Sequence, residues 1–203
     1  MPLGIFHGIT TNPTLAAKSG WTYANADFST YLSQAKSLGA KELHIQAFGP
    51  PADYVEFAKT IYAKGQEIGI EAVIKVPLIP EAIAVVPEIK KLGGKILMTA
   101  CYDASQVLVA NALGADYVAP YLGRMADMKL DPLAEAKRMQ ESMEGKTCQL
   151  FAASIRSLDL LTNLAASGVP IATISSDLAN QLIQNQNSLN AAAQFDLDAN
   201  GAT

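Results

Sequence analysis

The sequence predicts an α/β protein of seven strand–helix units, and three observations carry that prediction. Seven short runs of apolar, often β-branched residues recur along the 203-residue chain. The runs are continuous rather than alternating, the pattern of strands covered on both faces, which belongs to parallel sheets. A segment with helical spacing separates most runs from the next. Units recur roughly every 25–30 residues, close to the spacing of a (β/α)8 barrel. A doubly wound sheet is the alternative, but no Gly-rich fingerprint follows any of the runs, which weighs against a dinucleotide-binding version.

The expected strands are Gly4–Thr11, Glu42–Phe48, Glu71–Val76, Lys95–Ala100, Asp116–Tyr121, Gln149–Ala153 and Ile171–Ser175. Between them, Tyr31, Leu32, Ala35 and Leu38 form one helical face closed by Gly39, and Tyr54, Phe57, Ala58 and Ile61 form another. Ile83, Val86, Ile89 and Leu92 precede Gly93–Gly94, and Val107, Ala110 and Leu113 precede Gly114. Glycine just past a helical face is the usual left-handed cap. Asp103 with Gln106 reads as a capping box. Leu133, Ala136 and Met139, then Leu158, Leu161 and Leu164, then Leu178, Leu182 and Ile183 mark the later helices. The tail from about residue 185 is polar and is expected to fray.

Composition narrows the function. Half of the residues are hydrophobic and 17% are charged, as in a globular chain, and the length suits one domain spanning residues 1–203. With a net charge of −4 and no block of Lys or Arg, nucleic-acid binding is not expected. No apolar run reaches the roughly 18 residues of a membrane span, and the first residues lack the pattern of a signal peptide. Two cysteines, Cys101 and Cys148, are too few for a disulfide framework or a zinc site, so a reducing cytoplasm is expected. His7 and His44 are read as strand-flanking residues and not as metal ligands.

In a barrel the reactive groups stand at the C-terminal ends of the strands. The polar residues there are Thr10, Thr11 and Asn12; Gln46; Lys75; Thr99; Tyr121 and Arg124; Ser154 and Arg156; and Ser175–Asp177. Lys75 sits in the middle of "EAVIKVPL". An amine in a dry interior tends to lose its proton, and a neutral lysine attacks carbonyl carbons to form a Schiff base. The same residue could instead snorkel to solvent or pair with Glu71. Arg124 and Arg156, near hydroxyls, suit a phosphate, or are two surface arginines.

The segments "GITTNPTL" (8–15), "VIKVPL" (73–78), "YVAPYLGRMAD" (117–127) and "FAASIRS" (151–157) resemble the transaldolase family, nearest its small transaldolases and fructose-6-phosphate aldolases. The resemblance implies a TIM (β/α)8-type barrel that uses a Schiff-base lysine and neither metal nor cofactor. Residue by residue it implies Lys75 as the nucleophile, with Thr99, Tyr121 and Gln46 as its catalytic neighbours. Thr10 and Asn12 would bind the dihydroxyacetone part of a ketose phosphate, and Arg124, Ser154 and Arg156 its phosphate. Gln46, Leu97, Ala119 and Tyr121 resemble the aldolase type, whereas "GRMAD" and "SIR" resemble small transaldolases. A homo-oligomer, pentamer or decamer, is likewise implied.

The family pattern begins with a further strand ending in an acid/base Asp, and the present sequence starts at the pattern's second strand. Seven units and a slot for an eighth are therefore expected. The slot corresponds to a start lying upstream, a strand from another chain, or a shortened barrel. The competing reading is a weak or inactive barrel that binds sugar phosphate or a protein partner.

Overall fold

Each strand pairs in parallel with the next one in the chain. In the computed structural model, which describes residues 3–201, the strands are β1 (Gly8–Thr10), β2 (Glu42–Gln46), β3 (Glu71–Pro77), β4 (Lys95–Cys101), β5 (Tyr117–Pro120), β6 (Gln149–Ala152) and β7 (Ile171–Ala172). They form one curled sheet in sequence order, so the expected α/β, TIM-like architecture of seven units is what the chain adopts. Among the described residues no backbone pairing joins β1 to β7. Side chains meet there instead: the hydroxyls of Thr10 and Thr173 are 2.9 Å apart.

The helices are α1 (Pro13–Lys18), α2 (Phe28–Ser37), α3 (Tyr54–Ile68), α4 (Pro80–Ile83), α5 (Val86–Lys91), α6 (Ala104–Ala112), α7 (Leu122–Asp127), α8 (Pro132–Ser142), α9 (Leu158–Ala166), α10 (Ser176–Ile183) and α11 (Gln186–Ala199). The two-residue period of the strands divides the buried side chains into two cores. Leu43, Ile45, Ile74, Val76, Ile96, Met98, Val118 and Leu150 point outward to the helices and belong to the large cluster. Val73, Leu97, Tyr117, Ala119, Phe151 and Ala153 point inward and fill the barrel interior. Both faces of every central strand are thus covered, which is why the strands read as unbroken apolar runs.

Several boundaries depart from the expectation for local reasons. The first strand starts at Gly8 and not Gly4, because Gly4 takes a left-handed φ of 69° and pairing with β2 begins at Gly8 opposite Glu42. The last strand ends early because Ser175 is already the N-cap of α10, its side chain accepting from the Leu178 N–H. The helical face through Ile83 and Leu92 is split into α4 and α5, since Pro87 has no N–H to continue the ladder. The capping box forms as read, with Asp103 and Gln106 each satisfying the other's backbone. The tail after residue 185 is helical rather than frayed: Asn185 caps α11, none of whose residues is buried. His44 is inside β2 and 2% exposed, not at its flank.

Candidate active site

At the C-terminal ends of the strands a cavity of about 470 Å³ brings together Thr10, Asn12, Lys75, Thr99, Tyr121, Arg124 and Ser154. Gln46 and Arg156 are not part of its wall. Thr173, Ser175 and Ser176 are, and so is Phe151. Among the described residues no Asp or Glu lines it, and no group of three His, Cys, Asp or Glu side chains is placed to hold a metal.

Lys75 reaches the cavity because Val73 and Lys75 occupy the inward positions of β3. It is only 6% exposed, and its Nζ donates to the Thr11 carbonyl at 2.6 Å. Glu71, the alternative partner, is turned elsewhere, 4.0 Å from Lys95. Without a carboxylate to offset it, burial lowers the Lys75 ammonium from 10.5 to about 8. A fraction of the amine is therefore neutral near pH 7, the form that adds to a carbonyl.

Next to Lys75 in the interior is a chain of aromatic and polar groups. Thr99 is fully buried, and its hydroxyl is 2.8 Å from the Tyr121 hydroxyl. The register of β4 shifts between Met98 and Cys101, and Ala100 takes a left-handed φ of 57° there. The guanidinium of Arg124 lies over the Tyr121 ring, 4.6 Å from its centre, and donates to the Tyr102 hydroxyl at 2.9 Å.

Ser154 also holds a left-handed φ, of 62°, two residues after the end of β6. The turn opening α7 packs against it so closely that a Cβ on Gly123 would fall 2.2 Å from the Ser154 carbonyl oxygen and 2.8 Å from the Arg156 Nε. Only glycine fits at that approach. Arg156 itself turns away from the cavity and forms a two-pronged ion pair with Asp127, at 2.6 and 2.7 Å. The nearby anion donors on the cavity wall are Arg124, the Ser154 hydroxyl and the N-terminus of α10 at Ser175 and Ser176.

Two other expected residues have plain positions. Asn12 caps α1, accepting from the Leu15 N–H at 2.8 Å, and lines the cavity. Gln46 is opposite Lys75 in the β2–β3 register; its backbone N–H donates to the Tyr23 hydroxyl at 3.4 Å, and among the described residues its side-chain amide makes no hydrogen bond. Thr173 and Tyr102 were not singled out from sequence. Thr173 belongs to a strand-end "ATISS" whose hydroxyls were read only from Ser175 onward, and Tyr102 reads as a cap-flanking residue.

A second cavity, of about 870 Å³, runs along the β1–β7 seam toward the N-terminal ends of the strands. Its wall carries a buried ionic cluster. The Glu42 carboxylate accepts from Lys95 at 2.5 Å, His44 Nε2 at 2.9 Å and the Tyr117 hydroxyl at 3.0 Å. Burial would raise the Glu42 carboxyl, but the His44, Lys95 and Tyr117 hydrogen bonds outweigh it and hold it at about 2. Burial lowers His44 despite the hydrogen bond and charge of Glu42, which act the other way. Among the described residues the His44 Nδ1 atom is buried without a hydrogen-bond partner.

The sequence profile described as Transaldolase/Fructose-6-phosphate aldolase matches residues 1–202. A protein of Exiguobacterium sp. called "Probable transaldolase" is 31% identical over 208 residues, covering 98% of this chain and 90% of the relative. "Probable transaldolase 2" of Listeria monocytogenes is 30% identical over 182 residues, 89% of this chain and 80% of the relative. Among solved structures, thiamine phosphate pyrophosphorylase from Pyrococcus furiosus is similar with a TM-score of 0.50 at 18% identity, over 75% of this chain and 81% of that one. A mandelate oxidase bound to benzoyl-formic acid gives 0.52 at 12% identity, over 70% and 51%. At such identities these structures share the fold alone.

Proposed function

We propose a function on the premise that the chain belongs to the transaldolase/fructose-6-phosphate aldolase family: it cleaves or transfers the dihydroxyacetone unit of a ketose phosphate such as fructose 6-phosphate. The observation that carries this reading is Lys75, an amine lowered to about 8 by burial and facing a cavity without a carboxylate partner.

The neutral Lys75 Nζ adds to the C2 carbonyl of the ketose, and loss of water leaves a protonated iminium. The C4 hydroxyl gives up its proton, the C3–C4 bond breaks, and its electron pair flows into the iminium. An aldehyde phosphate leaves and an enamine remains on Lys75. Protonation of the enamine at C3 and hydrolysis release dihydroxyacetone; attack of the enamine carbon on an acceptor aldehyde instead gives a new ketose. The Tyr121 hydroxyl relays the C4 proton and holds the hydrolytic water, a role supported by its 2.8 Å contact with the Thr99 hydroxyl. Gln46 contributes by turning its amide toward the iminium from the strand position opposite Lys75. Thr10 and Asn12 hold the hydroxyls of the three-carbon unit, and Arg124 and Ser154 take the phosphate. Arg156 joins them by exchanging Asp127 for the phosphate oxygens.

The binding-only reading is not favoured, since among the described residues Lys75 has none of the ion-pair partners a structural lysine needs. The chain works as one barrel in the cytoplasm and assembles with copies of itself, a reading supported by α11, whose Leu189, Phe195 and Leu197 are all exposed. Incubation with fructose 6-phosphate, following glyceraldehyde 3-phosphate release in the presence of a chelator, tests the activity. Turnover that survives chelation and disappears in Lys75→Met supports it. Tight binding of fructose 6-phosphate without turnover overturns it.

A further inference from the structure

We propose that Tyr102 is a positioning residue that sets selectivity for phosphorylated over unphosphorylated substrates, by presetting Arg124 as the anion-binding arm of the cavity. The phosphate is part of the reading above; the presetting is not. Tyr102 is the first residue after β4, and its backbone N–H is tied to Gln106 Oε1 at 2.7 Å, inside the capping box of α6. Its ring meets that of Tyr121 edge to face, 5.6 Å between centres. Its hydroxyl accepts from Arg124 Nη1 at 2.9 Å.

Arg124 is thereby held from two directions, by the face of Tyr121 and by the hydroxyl of Tyr102. Among the described residues it makes no ion pair, whereas Arg156, four residues beyond β6 in the chain, must first give up Asp127. The remaining N–H groups of Arg124 are therefore available to a dianion, and the side chain needs no ordering when the anion arrives. A long cationic side chain that is fixed in advance binds more tightly than one that has to be ordered on binding. The Tyr102 hydroxyl does not line the cavity, so its effect passes through Arg124 alone.

The experiment compares wild type with Tyr102→Phe, which keeps the ring and removes only the hydroxyl. The reaction of dihydroxyacetone with glyceraldehyde 3-phosphate is set against that with unphosphorylated glyceraldehyde. Inorganic phosphate binding is measured separately by calorimetry, with no turnover required. In Tyr102→Phe the ratio of kcat/KM for the phosphorylated over the unphosphorylated acceptor falls about tenfold, through KM, and phosphate binds correspondingly more weakly. The same loss appears in Arg124→Leu, and the double variant loses little more, because both act on one arm. An unchanged ratio with unchanged phosphate affinity overturns the proposal, as does an equal fall for both acceptors. If phosphate binding weakens as stated but no variant, wild type included, turns over either acceptor, the role of Tyr102 stands and the aldolase reading falls.

Discussion

Lys75 and Lys95 both point into the barrel, from neighbouring strands, and they meet opposite fates. At the N-terminal end Lys95 faces Glu42 at 2.5 Å. Burial would lower its ammonium, but Glu42 more than reverses that and holds the proton firmly. At the C-terminal end Lys75 has only a carbonyl oxygen, and burial acts unopposed. The same side chain is held as a cation in one layer and left with a lowered hold on its proton in the other. What separates them is the placement of one carboxylate.

The largest expected effect comes from removing the unpaired lysine. Lys75→Met lowers kcat by about 10³-fold or more in a coupled cleavage assay, because no other group in the cavity can form the iminium. The same variant is more stable than wild type at pH 7, by about 1–3 kcal/mol in urea unfolding. The sign follows from the direction of the shift. Lys75 has a folded value of about 8 against 10.5 when free, so its burial is costly below pH 8, and that cost fades as pH rises toward 10.5. Wild-type stability therefore climbs across that window and the variant lacks the climb.

Removing the carboxylate from the paired lysine has the reverse signature. Glu42→Gln leaves Lys95 and His44 without their partner and costs about 2–3 kcal/mol, less than the about 3–5 usual for a buried pair because Lys95 can turn toward water. Per folded molecule, the rate at Lys75 stays within about twofold. Glu42 holds a folded value of about 2 against 4.5 when free, so its contribution is complete above pH 4.5 and is lost as pH falls toward 2. Acid unfolding monitored by circular dichroism is shallower in Glu42→Gln over that interval.

A smaller effect separates the two lysines without mutation. Below pH 8 the cleavage rate at low substrate rises about tenfold per pH unit and then levels off above that value, following the neutral fraction of Lys75. A flat profile from pH 6 to 9 contradicts it. The smallest effect belongs to a third kind of lysine, Lys91, which meets Glu88 at 2.7 Å on the surface. Lys91→Ala changes the free energy of unfolding in urea by no more than about 0.5 kcal/mol.

Much of the barrel was legible because its strands are buried on both faces, a signal that survives in any single window of sequence. Lys75 was legible for the same reason, as the one charge inside such a run. Its partnering was not. Glu71, four residues back on the same strand, is about 13 Å away by strand rise alone and lies beside Lys95; whether any other carboxylate reached Lys75 depends on the β2–β3–β4 register, which no local pattern encodes. Glu42 and Lys95 read as ordinary strand starts because they are 53 residues apart. Arg156 was placed with the phosphate from its motif, yet Asp127 holds it outside the cavity wall. The tail misled for the opposite reason: α11 buries nothing in this chain, so its composition carries no inward face to read.

The most direct test of the contrast between the two lysines is borohydride reduction in the presence of fructose 6-phosphate, followed by peptide mass spectrometry. The expected result is a single three-carbon adduct on the peptide carrying Lys75, formed faster at pH 8 than at pH 6, with Lys95 unmodified. An adduct on Lys95, or no adduct while the sugar phosphate is bound, contradicts the assignment of Lys75 as the nucleophile.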